Sequence, residues 1–271
     1  MITKLDGIII SKYPYRERDL IVRLLLRNGK KASVIFYGGK GGGSKKKSSI
    51  LELGFLVEVE LQKSREDSEI FTAKEWVLKW HHDNIRNNYQ AYCLLCFFSE
   101  ISERLALEAQ FKNYESEISS SDKEAGPFRV LSNALVYLEK SLSAREQNAL
   151  FLPYGQILIF ITKLAVEMGV FPASDTCTLC GGDLEAIGPK ILSAEHGGYQ
   201  CGRCTDIGQD SGDEAIYQAM MRIARTPYQA ILPLPLGAVD LSMAKKVLHY
   251  VCYQFNIIPE TLKTMRAVLA N

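Results

Sequence analysis

LIVRLLLRNGKKASVIFY, residues 20–37, carries two apolar runs on either side of Asn28-Gly29. Asn-Gly between apolar runs is the strongest short-range hairpin signal, because both residues tolerate the left-handed backbone a tight reversal needs. In the second run Ala32, Val34 and Phe36 fall on one face, and Ser33, Ile35 and Tyr37 on the other. Working outward, strand-like runs cover about 5–12, 20–27, 31–37, 54–62 and 69–79. The fourth shows the period best: Phe55, Val57, Val59 and Leu61 point one way, Glu58 and Glu60 the other. That alternation marks a strand with one buried and one wet face. No helix-period segment interrupts the five runs. A small antiparallel five-stranded unit follows, with the OB barrel its common solution and an SH3-like barrel its competitor.

Beyond residue 88 the apolar period lengthens to that of helices. Tyr92, Leu95, Cys96, Ser99, Ile101, Leu105 and Leu107 fit one long helix. Residues 112–126 read as a polar loop. Pro127 and Pro153 sit where helices open, and Asp213, Asp240 and Pro259 begin three more, over 213–225, 240–255 and 259–269. The expected fold class is α+β. A five-stranded OB-fold β-barrel over 1–80 precedes an α-helical domain over 81–271, with an inserted four-cysteine zinc knuckle at 172–210.

The chain has 271 residues and a formal net charge of +1, but residues 1–50 hold 12 Lys/Arg and 3 Asp/Glu, while the other 221 hold 20 and 28. Such an asymmetry suggests an anion-binding module on a neutral or acidic scaffold. Lys12, Arg16, Arg18, Arg23, Lys30 and Lys31 lie on the first three strands and their loops. Lys40, Lys45, Lys46 and Lys47 lie in the glycine-rich stretch that follows. Phe36 and Tyr37, with Tyr13 and Tyr15 nearby, supply rings beside the charge. Cations for phosphates and rings for unstacked bases are what single-stranded nucleic acid requires, each stacked base contributing about 1–3 kcal/mol. A solvated charge run is the alternative. The stretch is not a phosphate-binding P-loop: Gly38 and Gly43 have the spacing, but Ser44-Lys45 follow in the wrong order and no helix opens there. No nucleotide cofactor is expected.

Six of the seven cysteines form three Cys-x-x-Cys pairs. Cys177/Cys180 and Cys201/Cys204, separated by 20 residues, have the spacing of a four-thiolate zinc site. Two intervening residues let a tight turn aim both sulfurs at one point. Gly181-Gly182 and Gly202 offer the positive φ angles such turns use. Four thiolates leave no open position, so such zinc is structural. A redox dithiol is the rival. Cys93 and Cys96 share a helix face and read as core, as does Cys252. His196 reads as surface. No Ser/His/Asp set or paired carboxylate motif proposes an enzyme.

The run Asp6-Gly7-Ile8-Ile9, then Tyr15-Arg16-Glu17-Arg18-Asp19-Leu20-Ile21-Val22, then Asn28-Gly29-Lys30 and the basic run closing in Lys47-Ser48-Ser49, resembles the bacterial recombination mediator family RecO. Pro153 to Cys180, with Phe160, Leu164, Gly169 and Cys177, is similar to that family's central helix entering its zinc knuckle. The resemblance implies a non-enzymatic DNA repair protein. Such a protein binds single- and double-stranded DNA, anneals complementary strands without ATP, binds the acidic C-terminal tail of SSB, and acts with RecR to load RecA on gapped DNA. Lys163, Arg222, Lys245 and Lys246 are basic helical positions with apolar neighbours, and none is singled out for the tail. A zinc-containing RNA-binding or transcription-associated adaptor and a thiol oxidoreductase using Cys177 and Cys180 are the competing classes.

No apolar run approaches the roughly 20 residues of a membrane span, and Ile8-Ile9-Ile10 falls short of a secretory core of about 7–15 residues. The expected location is cytoplasmic, near the nucleoid, with no membrane partner.

Overall fold

A computed structural model describes residues 3–40, 50–62, 70–109, 124–143, 151–186, 188–205, 213–231 and 239–269. The chain divides into two compact units, 1–140 and 141–271, with the boundary in the last turn of a helix over Gly126–Ser143.

In the first unit the strands are β1 (Thr3–Tyr15), β2 (Asp19–Leu26), β3 (Lys31–Phe36), β4 (Leu56–Gln62) and β5 (Phe71–Trp80). They close into a barrel of order β1-β2-β3-β5-β4, with β4 returning to β1. All pairs are antiparallel except β3–β5. This is the OB barrel expected from the sequence, and the SH3-like alternative is set aside. Alternation drives the closure. Val22, Leu24, Ala32, Val34, Phe36, Val57 and Val59 all point into one core.

The β2–β3 reversal uses three residues rather than Asn-Gly alone. Gly29 N–H donates to Leu26 O (2.8 Å), Leu26 N–H donates to Lys30 O (2.8 Å), and Gly29 takes φ +80°. A Cβ on Gly29 would also meet the Ala125 carbonyl at 2.9 Å, so two constraints select glycine.

Among the described residues three helices follow in this unit: α1 (Asn84–Asn87), α2 (Tyr89–Leu105) and α3 (Gly126–Ser143). Asn88 caps α2 by accepting from Ala91 N–H at 3.0 Å. The helix packs on β1, and Ile8, Ile10 and Leu25 are buried without belonging to the barrel core. It ends at Leu105, so Leu107 lies beyond it and is exposed. There 106–109 instead runs beside Lys31, whose N–H donates to Leu107 O while its carbonyl accepts from Ala109 N–H (both 2.8 Å).

In the second unit α4 (Pro153–Glu167) is the apolar centre, with Ile157, Leu158, Phe160, Ile161 and Leu164 buried. It packs against α6 (Glu214–Arg225) and α7 (Leu241–Gln254). Between α4 and α6 come the hairpin β6 (Lys190–Ser193) and β7 (Gly198–Cys201), and the short α5 (Gly202–Thr205). Asp240 caps α7 through Met243 N–H at 2.8 Å. Asp213 stands at the N-terminus of α6 but makes no side-chain cap bond there. Its buried carboxylate accepts from Leu192 N–H (2.8 Å) and Lys246 Nζ (2.6 Å), tying hairpin, α6 and α7 together. The helix expected over 259–269 is interrupted: a 3₁₀ turn at Pro259–Thr261 gives way to extended backbone at Leu262, which buries its side chain, before α8 (Met265–Leu269). Among the described residues no helix is long and apolar enough to cross a membrane.

Candidate nucleic-acid wall and metal centre

The outer faces of β1, β2 and β3 share a register. Tyr13 stands opposite Ile21, and Ile21 opposite Ile35; one step along, Ser11 stands opposite Arg23, and Arg23 opposite Ser33. Val22 and Val34 point inward, so these rows point outward. Tyr13 is 49% exposed, and Ile21 and Ile35 are half-buried, which leaves an apolar strip on the barrel wall. Tyr37 follows at the end of β3 and is 51% exposed.

Two loops meet at that end of the wall. Lys40 N–H donates to Arg18 O (2.9 Å), Lys40 Nζ to Arg16 O (2.6 Å), and Gly38 N–H to Asp19 Oδ1 (2.9 Å). Arg16 adopts φ +49° with its guanidinium 5.1 Å from the Tyr15 ring centre. The β1–β2 turn and the segment after β3 are thereby held as one exposed basic edge of Arg16, Arg18 and Lys40.

The expected contact residues therefore separate. Arg16, Arg18, Tyr37 and Lys40 come together. Phe36 is a correction: it is 0% exposed and packs edge-on against Trp76 at 5.0 Å, so it cannot stack on a base. Phe36 ends β3, whereas Tyr37 opens the turn that Gly39 N–H closes on Phe36 O at 3.2 Å. Lys12 turns to Glu52 (2.7 Å) and Leu51 O (3.2 Å). Arg23 meets Glu103 (2.7 Å) and Glu108 (3.9 Å), and Lys31 meets Glu108 (3.6 Å) and Glu103 O (2.8 Å). Lys30 lies in the hairpin, at the far end of β2 and β3. Lys45, Lys46 and Lys47 lie outside the described residues. Tyr13, expected only as a nearby ring, shares its row with Ile21 and Ile35, which a search for cations and rings passes over because they are neither.

The β1–β4–β5 face offers less to an anion. Glu58 lies between Lys79 (2.7 Å) and Lys4 (3.1 Å), whose hydrogen bonds hold its carboxyl below the usual range. Glu60 likewise pairs Lys74 at 2.8 Å.

In the second unit the Sγ atoms of Cys177, Cys180, Cys201 and Cys204 all lie within 4.8 Å of one another, with Cys180 and Cys201 at 3.8 Å. A tetrahedron of thiolates at about 2.3 Å from zinc has sulfur–sulfur edges of about 3.8 Å, so the donor set fits that ion. The first knuckle closes through Gly181 N–H to Cys177 O and Cys177 N–H to Gly182 O (both 2.8 Å), with Gly181 at φ +70°. The hairpin brings the second pair back. Gly202, expected to supply a positive φ, does not adopt one; it is glycine because a Cβ would sit 2.7 Å from Pro189 Cγ.

Burial pushes the Cys177 thiol up, but N–H groups of Cys180, Cys201 and Leu179 outweigh it and bring it down to about 6. Thiol hydrogen bonds with Cys201 and Cys180 hold Cys204 up at about 12. Cys93 and Cys252 are buried and Cys96 half-buried; burial raises Cys96 to about 11. His196 is exposed and bonds Ser193 Oγ at 3.0 Å.

No curated protein matches the chain. Residues 1–79 match the family model described as Recombination protein O N terminal, a span that holds β1 to β4 and all of β5 but Trp80. The barrel is thus similar to the N-terminal domain of RecO-family proteins, and in this chain helices and a four-cysteine cluster follow it.

Proposed function

We propose that this chain is a DNA recombination mediator that binds single-stranded DNA along the outer wall of its barrel. The observation that carries the reading is the junction of an apolar strip (Tyr13, Ile21, Ile35), an exposed ring (Tyr37) and a braced basic edge (Arg16, Arg18, Lys40). Rings and branched side chains take unstacked bases, while guanidinium and ammonium groups take phosphates. The family match supports a role in recombination and repair. Within that role the chain anneals complementary strands without ATP, by neutralising phosphates on two strands. It also engages the SSB tail and acts with RecR to load RecA on gapped DNA. Lys45, Lys46 and Lys47, outside the described residues, are counted in this reading as further phosphate ligands by sequence alone. The four cysteines hold zinc, which cross-links the two knuckles and supplies no reactive position.

The test is binding and annealing of labelled oligonucleotides by wild type and by a variant with Arg16, Arg18 and Tyr37 all replaced by Ala. Loss of salt-dependent binding and of nucleotide-free annealing is expected. Full retention of both by the variant would remove the wall from the function.

A further inference from the structure

Arg23 and Lys31 lie on the same outer face as the apolar strip. Ser11, Arg23 and Ser33 form the row after Tyr13, Ile21 and Ile35, and Leu25 and Lys31 form the next. By position both cations would continue the phosphate track away from Arg16 and Lys40. Neither is open to do so. Arg23 has Glu103 at 2.7 Å and Glu108 at 3.9 Å; Lys31 has Glu108 at 3.6 Å and donates to the Glu103 carbonyl at 2.8 Å. Ser11 Oγ also donates to Glu103 at 3.3 Å. Two cations thus face two carboxylates, one on the last turn of α2 and one just beyond it. On this row Leu25 is already buried, so the open wall ends there.

We propose that Glu103 and Glu108 act as built-in phosphate surrogates that end the polynucleotide track at Arg23 and so set the length of strand the wall accepts. The inference rests on the wall reading above. A carboxylate presents two oxygens to a guanidinium much as a phosphate does. A strand extending along the wall would have to displace the carboxylates, and would then be repelled by them. Glu108 is the adjustable member, 57% exposed on its side chain; Glu103 is more enclosed and also braces β1.

The experiment compares wild type, Glu108→Gln and the Glu103→Gln/Glu108→Gln double variant in titrations of oligo(dT) of increasing length, each over a salt series. Glu60→Gln, on the β4–β5 face, controls for a general change in net charge. Glu108→Gln is expected to tighten binding several-fold at low salt. It should steepen the slope of log affinity against log salt by about 0.7 for each phosphate regained, and lengthen the shortest oligomer bound at full affinity. Glu60→Gln should do none of these. Unchanged affinity, slope and minimum length in a folded Glu108→Gln, while wild type binds, would reduce the carboxylates to a tether between helix and barrel and overturn the inference alone. Equal tightening by Glu60→Gln would overturn it as well. Absence of salt-dependent binding by wild type would remove the wall reading, and this inference with it.

Discussion

Lys40 donates its ammonium to the main-chain carbonyl of Arg16 at 2.6 Å, across two loops that are 24 residues apart in sequence. The bond matters because Arg16 sits at φ +49°, a conformation non-glycine residues adopt only at about 1–2 kcal/mol. Strain retained at an exposed arginine is a sign of use. Arg16→Gly should hold or raise the melting temperature, since glycine enters that conformation freely, while DNA binding weakens and its salt slope flattens by about 0.7. Thermal melts and a salt series on one protein read both effects. A parallel fall in stability and binding would contradict the assignment.

Phe36 and Tyr37 should separate completely. Phe36→Ala empties a fully buried site beside Trp76 and should destabilise the barrel by about 3–5 kcal/mol. Tyr37→Ala removes an exposed ring and should leave stability near wild type, while weakening single-strand binding by about 1–3 kcal/mol if one base stacks there. Denaturant melts and anisotropy titrations check the pair.

Purified protein should carry one equivalent of zinc per chain, held by Cys177, Cys180, Cys201 and Cys204. Cys177→Ser with Cys180→Ser should release it and lower the melting temperature. Metal binding requires thiolates, so acidification, by which protons compete with the metal for the four sulfurs, should favour release. Metal analysis across a pH series reads this directly, and metal-free wild type with a reversible dithiol would favour redox chemistry instead.

His82 should make the first unit acid-sensitive. It is buried, and its Nε2 lies 2.9 Å from Leu53 O, which can only accept; Nε2 therefore carries the proton, and Nδ1 has no partner among the described residues. Burial, opposed by the Leu53 bond, lowers its proton affinity. The unfolded chain then binds a proton that the folded one resists, so stability is full above about pH 6.5 and falls as the pH drops toward the folded value. The difference in melting temperature between wild type and His82→Gln should shrink from pH 7.5 to about pH 5.5. A difference independent of pH would show that His82 titrates alike in both states.

Strand positions and the cysteine quartet were legible because both are local or periodic signals. Alternation in β2, β3 and β4 survives any tertiary context that buries one barrel face, and a Cys-x-x-Cys turn needs only its own residues. The basic surface was harder to read. Lys12, Arg23 and Lys31 are cations in any sequence reading, but their partners Glu52, Glu103 and Glu108 lie 40 to 80 residues away, and nothing local announces the pairing. For Phe36 the reason is different: its ring type suggests stacking, but the strand parity it shares with Ala32 and Val34 places it inside the barrel.

By itself the sequence determined the barrel, the helical period after it and the four thiols, since hydrophobic alternation, glycine turns and ligand spacing act over a few residues. Which cations remain open to a polynucleotide was decided only by the tertiary structure. Charge pairing depends on what the folded chain brings within about 4 Å, and α2 and the residues just beyond it bring Glu103 and Glu108 against Arg23 and Lys31.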